Sequence, residues 1–338
     1  MSIQLIYTDA EISKKKYNDK VYTITNKMTS RKQTEEFKTA QTHLGKRIRE
    51  NRPNITDSSV KTYVSLLSNL YYRVHERDQP MDMKFFHNDK AILDLLKDKT
   101  PQSRKTILAA IVVLNGTENQ SGIIQQKMMD DMGEVRKIDA TQTKSKTQSE
   151  NWESYDAIKG LQQTYETKAL DILSAKGKLN ETQHELINRF MMLSLSTGVY
   201  MPPRRSEMVL IKINDIDESK DNYIDMAKSE FVYNQYKTVK KYGQQRVGFP
   251  PAFKAILKKY LAKVKGQTYL LEHNGQQYLA TELTREMHKI FGKKISTSML
   301  RHIYLSDIYK DVPALAEMQE RAREMAHSVS EALQYVKR

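Results

Sequence analysis

Between Asp139 and Asn151 the chain reads Asp-Ala-Thr-Gln-Thr-Lys-Ser-Lys-Thr-Gln-Ser-Glu-Asn, without one large apolar side chain. Such a stretch can bury nothing, so no single core can be continued through it. The 338 residues are therefore expected to fold as two bodies, 34–138 and 152–338, with 139–151 as the linker. Residues 1–33, with Lys14-Lys15-Lys16 and the alternating Val21-Tyr22-Thr23-Ile24, read as a basic arm or a terminus without fixed structure. Apolar residues make up 39% of the chain, enough for a core in each body.

The first body reads as all-helical. Ile55-Thr56-Asp57-Ser58 is a capping signal, followed by Val60, Tyr63, Leu66, Leu67, Leu70, Tyr71 and Val74 at helical spacing. Shorter helices are predicted over 89–96 and 101–114, the latter with Pro101 in its first turn and Asn115-Gly116 at its end. Another is predicted from about Gly122 to Met132, and Lys61, Arg104 and Lys105 are the exposed basic residues that could meet a phosphate. The second body opens with helices over 154–175 and 181–196, capped at Asn180, and Trp152 is expected to pack at its start. Pro202-Pro203 sets the approach to a new helix beginning near Arg204. From Tyr223 to Phe249 the period changes to that of a strand, which predicts an antiparallel hairpin or three-stranded sheet ended by Pro250-Pro251. A small hairpin around Asn274-Gly275 follows, then helices over 281–291, 297–309, from Pro313, and 330–335. On the 297–309 helix, Leu300, Ile303, Tyr304 and Ile308 form a buried stripe with Arg301 at its edge. The predicted class is mostly α with a small antiparallel sheet in the C-terminal half.

The formal charge is +14, and both halves carry it. Residues 1–140 hold 24 Lys and Arg against 18 Asp and Glu; residues 141–338 hold 31 against 23. Two basic bodies on a flexible joint suit the gripping of one polyanion, double-stranded DNA being the partner read here. There is no cysteine, which removes disulfides, thiolate zinc sites and cysteine nucleophiles together. The eight histidines show no His-Glu-x-x-His, and no acidic cluster has ligand spacing along the sequence, so neither metal nor other cofactor is expected. No apolar run approaches the roughly 18 residues of a membrane span. The first residues lack the pattern of a signal peptide, so the chain is expected to stay inside the cell, with the DNA.

Five elements then stand in order: Arg204-Arg205-Ser206-Glu207, Lys237, Ser298-Met299-Leu300-Arg301-His302, Ala326-His327-Ser328, and Tyr335. Attack by a phenol on a phosphodiester concentrates negative charge on the non-bridging oxygens, and arginine is the bidentate, permanently cationic side chain that meets it. In these elements residues 155–338 resemble the tyrosine recombinases, or lambda-type integrases, whose order is Arg, Lys, His-x-x-Arg, His or Trp, then Tyr. The resemblance implies a helical core-binding domain followed by an α+β catalytic domain. It implies Arg204 and Arg301 as the clamp on the non-bridging oxygens, Lys237 as general acid toward the leaving oxygen, His327 on the phosphate or the phenol's proton, and Tyr335 as nucleophile. Glu207 would brace an arginine; Arg205, Lys240 and Lys241 would contact DNA, and Lys240 and Lys241 also rival Lys237. Ser298 stands where the family usually has histidine, and His302 could compensate; Tyr335 follows His327 by eight residues, one fewer than common.

The implied activity is site-specific recombination or integration, for a virus or other mobile genetic element, through a 3′-phosphotyrosyl link that needs neither metal nor ATP. A homotetramer on two DNA sites is implied as well. Two other readings stay open: a type IB topoisomerase using the same chemistry on one strand, and a DNA-binding protein of the same fold without cleavage, for which Ser298 argues.

Overall fold

The computed structural model describes residues 34–118, 122–273, 275–325 and 328–334. The stretch 1–33, with the basic arm or terminus read there, lies outside them. The chain divides into two compact units, one up to residue 142 and one from 143. It is mostly helical, and its small sheet lies in the C-terminal half.

The N-terminal unit holds α1 (Glu35–Asn51), α2 (Asp57–Tyr71), a 3-10 turn (Met83–His87), α3 (Asp89–Leu96), α4 (Pro101–Asn115) and α5 (Ile123–Ala140). The Thr56 hydroxyl accepts from the Ser59 amide at the start of α2, as the capping signal requires. α4 supplies Ile107, Leu108, Ala110, Ile111 and Leu114 to the core, with α1, α2 and α5 packed around it. It ends at Gly116, φ 54°, where a Cβ would lie 2.9 Å from Asn51 Cγ. The Asn51 amide donates to the Val113 and Leu114 carbonyls, 3.1 and 2.7 Å, so the last turn of α4 is closed from α1.

α5 runs past its predicted end near Met132 because its polar residues are partnered rather than solvated. Asp131 is fully buried, and Arg104 meets it in a fork: Nε to Oδ2 at 2.7 Å and Nη2 to Oδ1 at 2.5 Å. Lys127, one turn earlier on α5, adds a contact of 3.1 Å. Val135 then continues the buried side. The same pairing corrects the expectation for Arg104, whose Nη1 also donates to the Lys97 and Lys99 carbonyls; it is an internal brace, not an exposed phosphate contact. Lys61 is exposed on α2 and Lys105 half-buried on α4.

The C-terminal unit begins with α6 (Lys146–Asn151), α7 (Tyr155–Ser174) and α8 (Glu181–Ser196). Of the stretch 139–151, only 141–145 lies between helices. Trp152 packs on the core with the Lys144 ammonium 4.2 Å over its ring. Asn180 and Gln183 form a reciprocal cap at the start of α8, and the residues from Ile187 to Ser196 are buried except Arg189. The methionines among them, Met191 and Met192, are core. The sheet has the order β1 (Ile211–Lys212), β2 (Asn222–Asp225), β3 (Glu230–Tyr233), β4 (Gln245–Gly248); β1 runs parallel to β2 and the rest are antiparallel. Phe231 faces Ile224 on one side and Val247 on the other. The β3–β4 connection contains α9 (Val239–Tyr242). Then come α10 (Pro251–Lys263), the hairpin β5 (Glu272–His273) and β6 (Gln276–Gln277), α11 (Ala280–Phe291), α12 (Thr297–Ile308), α13 (Leu315–Glu324) and α14 (Val329–Gln334).

Two local expectations are overturned. The helix read at Arg204 is a five-residue 3-10 segment, Ser206–Leu210, that leads directly into β1. It has no room for the row of free N–H groups that an α-helix would aim at a phosphate. On α12, Leu300 and Ile303 are buried but Ile308 is 49% exposed, because the last turn, with Leu305, overshoots the core the first turns pack on.

Burial acts to raise the Asp131 carboxyl, but the hydrogen bonds from Arg104 and Lys127 outweigh it and hold the group below its ordinary range. Arg104→Ala leaves that buried carboxylate half-paired and is expected to lower stability by about 3 kcal/mol, against less than about 0.5 for Lys61→Ala, in urea denaturation. A depressed folded pKa stabilises above the ordinary carboxylate range and is lost as pH falls through the folded value. The gap between wild type and Arg104→Ala is therefore expected to narrow in acid.

Candidate functional site

The site is assembled where the chain leaves α8. Gly198 turns with φ 95°, and a Cβ there would overlap the ring of Tyr304 on α12, so the turn admits only glycine and α12 packs directly over it. The Arg204 amide then donates to the Leu195 carbonyl at 2.8 Å, folding residues 199–204 back on α8. Pro203 is buried and its carbonyl faces α12, where Arg301 Nη2 donates to it at 2.7 Å. That bond brings two arginines, ninety-seven residues apart in sequence, into one place.

Arg204 lies with its guanidinium carbon 4.0 Å over the Tyr233 ring and 5.7 Å from that of Tyr236. Its Nε is 3.2 Å from Glu207 Oε1, an ion pair whose angle makes no hydrogen bond, so among the described residues this buried N–H has no acceptor. Tyr233 is wholly buried, and burial pushes its phenol far above the usual range, so it presents a neutral ring to the cation. Arg301 is half-buried; desolvation, then Arg205, pull its guanidinium below the usual range, Arg204 adds to that, and Glu207 opposes it. Among the described residues Glu207 pairs with Arg204, while Arg205 and Arg204 act on Arg301 through space. In a partly desolvated place that surplus of positive charge calls for an anion, and the planar forks suit the oxygens of a phosphate. Beside it, Arg205, Glu207, Tyr236 and Lys237 line one cleft of about 520 Å³, with Gln277 and Leu279 also on its wall.

Of the sequence-predicted residues, Arg204, Arg205, Glu207 and Arg301 meet, and Lys237 lies on the wall of the adjoining cleft. Lys240 and Lys241 are exposed on α9, and Ser298 and His302 are exposed on α12. His327 and Tyr335 lie outside the described residues. Lys61 and Lys105 belong to the N-terminal unit. Sequence reasoning missed Tyr233 as the surface under Arg204, the Pro203 carbonyl, and the pairing of Gly198 with Tyr304. The strand alternation at Phe231 and Tyr233 assigned Tyr233 to a sheet, but no spacing tells that Arg204 lies on it. A second group was also missed: Glu181 and Glu185, one turn apart on α8, place ligand atoms within 4.8 Å of one another and of His273 on β5 and could hold a metal ion. Its third member comes from a separate hairpin, which is why no motif announces it.

No family model matches the chain, and no curated protein matches it. One solved structure, described as the crystal structure of XerA recombinase, aligns over 80% of this chain and 85% of that chain, with 14% identity and a TM-score of 0.33. Likeness at that level decides nothing about the site, whose chemistry follows from its own residues.

Gly198→Ala is expected to destabilise by at least about 2 kcal/mol, combining a strained φ with the overlap on Tyr304. In a thermal or urea double-mutant cycle, Gly198→Ala with Tyr304→Ala is expected to lose less than the two single losses summed, because the second change removes the ring that the first one strikes.

Proposed function

We propose that this chain is a site-specific DNA recombinase or integrase that cleaves and rejoins strands through a 3′-phosphotyrosyl intermediate, acting for a virus or other mobile genetic element. The observation that carries it is that Arg301 is bound to the Pro203 carbonyl, beside Arg204 and its partner Glu207, next to the cleft that Arg205 and Lys237 line. The order of the sequence elements supplies the rest. Tyr335 attacks the phosphorus; the bond to the 5′-oxygen breaks as the Tyr335 oxygen–phosphorus bond forms. Arg204 and Arg301 hold the non-bridging oxygens, where charge builds most. Lys237 gives a proton to the leaving 5′-oxygen, and His327 binds the phosphate or takes the phenol's proton. The 5′-hydroxyl of a second strand reverses the step, so the phosphodiester energy is kept in the covalent link and no nucleotide is consumed.

The arginines supply the charge that another enzyme would take from a metal ion, so no cofactor is required by this scheme. Arg205, Lys240 and Lys241, and from the other unit Lys61 and Lys105, are assigned to the DNA backbone. Four copies on two sites are the assembly that exchange of two duplexes demands. Ser298, exposed on α12 where the family usually has histidine, favours a second reading: a DNA-binding protein of the same fold that does not cleave.

A nicked DNA substrate whose short leaving fragment, the one bearing the freed 5′-hydroxyl, diffuses away after cleavage traps the adduct and decides between them. Wild type is expected to give a covalent complex and Tyr335→Phe none, with DNA binding retained in band shifts. Arg204→Ala and Arg301→Ala are each expected to slow cleavage by about 10²–10³-fold. An adduct formed by Tyr335→Phe would show that another residue is the nucleophile. No wild-type adduct favours the binding protein, and relaxation of plasmids lacking any specific site points to a type IB topoisomerase.

A further inference from the structure

The lysine that the proposed reaction needs is on an exposed connection, yet the root of that connection is among the most tightly bound backbone in the unit. The residue responsible is Asn222, the first of β2, which is fully buried. A carboxamide offers two acceptor sites and two donor protons, and all four are used here. Oδ1 accepts from the amides of Asn234 at 2.8 Å and Gln235 at 2.7 Å. Nδ2 donates to the Gln235 carbonyl at 2.9 Å and to the Glu207 carbonyl at 3.3 Å. One side chain therefore ties the arginine-bearing turn at Glu207 to the first two residues after β3, and Lys237 is the second residue beyond Gln235.

The surroundings reinforce that tie. Asn234 Nδ2 donates to the Glu218 and Asp221 carbonyls, 2.9 and 2.8 Å, and Gln235 Nε2 to the Lys220 carbonyl, 2.9 Å. At the far side the Tyr236 hydroxyl donates to the Gly243 carbonyl at 2.6 Å, closing the base of the connection. Backbone that lacks a ladder partner is thus held by side-chain amides, and the exposed Lys237 follows directly on this root. Ordinary sheet satisfaction would need only the bonds to residues 234 and 235. The bond to Glu207 serves no strand; it fixes the root relative to the arginine cluster.

We infer that Asn222 is a positioning residue that sets Lys237 against the phosphate held by the arginines. This rests on the strand-transfer reading above, in which Lys237 protonates the leaving 5′-oxygen. It makes a distinctive demand, since losing Asn222 must damage the proton transfer and leave the arginine clamp working. The leaving group separates the two. With sulfur in place of the bridging 5′-oxygen, the departing thiolate belongs to a thiol of pKa about 8.5 and needs no proton, whereas an alkoxide does.

The experiment compares cleavage of the ordinary substrate and of the 5′-bridging phosphorothiolate by wild type, Asn222→Ala, Lys237→Ala and Arg301→Ala, with DNA affinity measured for each. Asn222→Ala is expected to cleave the ordinary substrate at least about tenfold more slowly at unchanged affinity, and the sulfur substrate within about threefold of wild type, as Lys237→Ala does. Arg301→Ala is expected to stay slow on both. Equal slowing of Asn222→Ala on both substrates, or no slowing on the ordinary one, overturns the inference. Should Asn222→Ala fail to fold, Asn234→Ala, at a half-buried position, loosens the same root and is held to the same two outcomes. Wild type that cleaves neither substrate overturns the strand-transfer reading itself, and this inference with it.

Discussion

Like charges placed close together have to be held there, and the C-terminal unit is built around that requirement. Arg204, Arg205 and Arg301 are near enough for Arg204 and Arg205 both to disfavour the charge on Arg301, and among the described residues Glu207 is the carboxylate that opposes them. Left to itself such a cluster would spread into solvent, as exposed arginines do. Here it is prevented by partners that carry no net charge of their own. Arg301 is fixed by a backbone carbonyl at Pro203, Arg204 by the face of a buried neutral phenol at Tyr233 and by its own amide on Leu195. The consequence is a positively charged place held in a fixed arrangement, which in the proposed reaction would meet the transition-state charge without reorganising for it.

The rest of the unit follows from where those anchors must be. α8 is buried over most of its last ten residues, so its C-terminal end is a fixed point in the core. From that point Gly198 turns the chain beneath α12, and the overlap a side chain would make with Tyr304 fixes how close the two segments lie. The sheet then places Tyr233 under Arg204 and starts the Lys237 connection from the same strand. Helix, turn and sheet therefore each supply one coordinate of the site, and none of the three would hold an arginine in place alone.

Much of this was legible in the sequence wherever a local rule governs. Thr56, Thr100 with Pro101, and Asn180 with Gln183 announce helix starts, and the change of period after Tyr223 announces the sheet. The sequence order also singled out Arg204 and Arg301, which the structure brings close together; their chemistry belongs to the proposed function. What could not be read is set by partners distant in sequence. Arg104 looked like an exposed cation because Asp131, which turns it inward, is twenty-seven residues away on another helix. Ile308 fitted a buried stripe, but periodicity does not tell where the core ends and the helix runs on. The segment at Arg204 carried a helix signal in Pro202-Pro203, yet β1 begins so soon that a 3-10 turn is what fits before it. Tyr233 and Asn222 were missed for the same reason: a strand pattern gives the face a side chain takes, not the loop that will lie against it.

The two kinds of group in the site are held differently, and the proposed reaction gives a reason for the difference. Charge on the non-bridging oxygens has to be met at fixed positions, because an arginine that must move to reach it forfeits much of what it contributes. A proton donor must instead follow an oxygen that travels as its bond to phosphorus lengthens. Arg204 and Arg301 are placed in partly buried surroundings, whereas Lys237 is exposed on the β3–β4 connection that also carries α9. In that reaction the bonds of Asn222 and the Tyr236 bond to Gly243 would set where Lys237 stands beside the cleft that Arg205 and Glu207 also line.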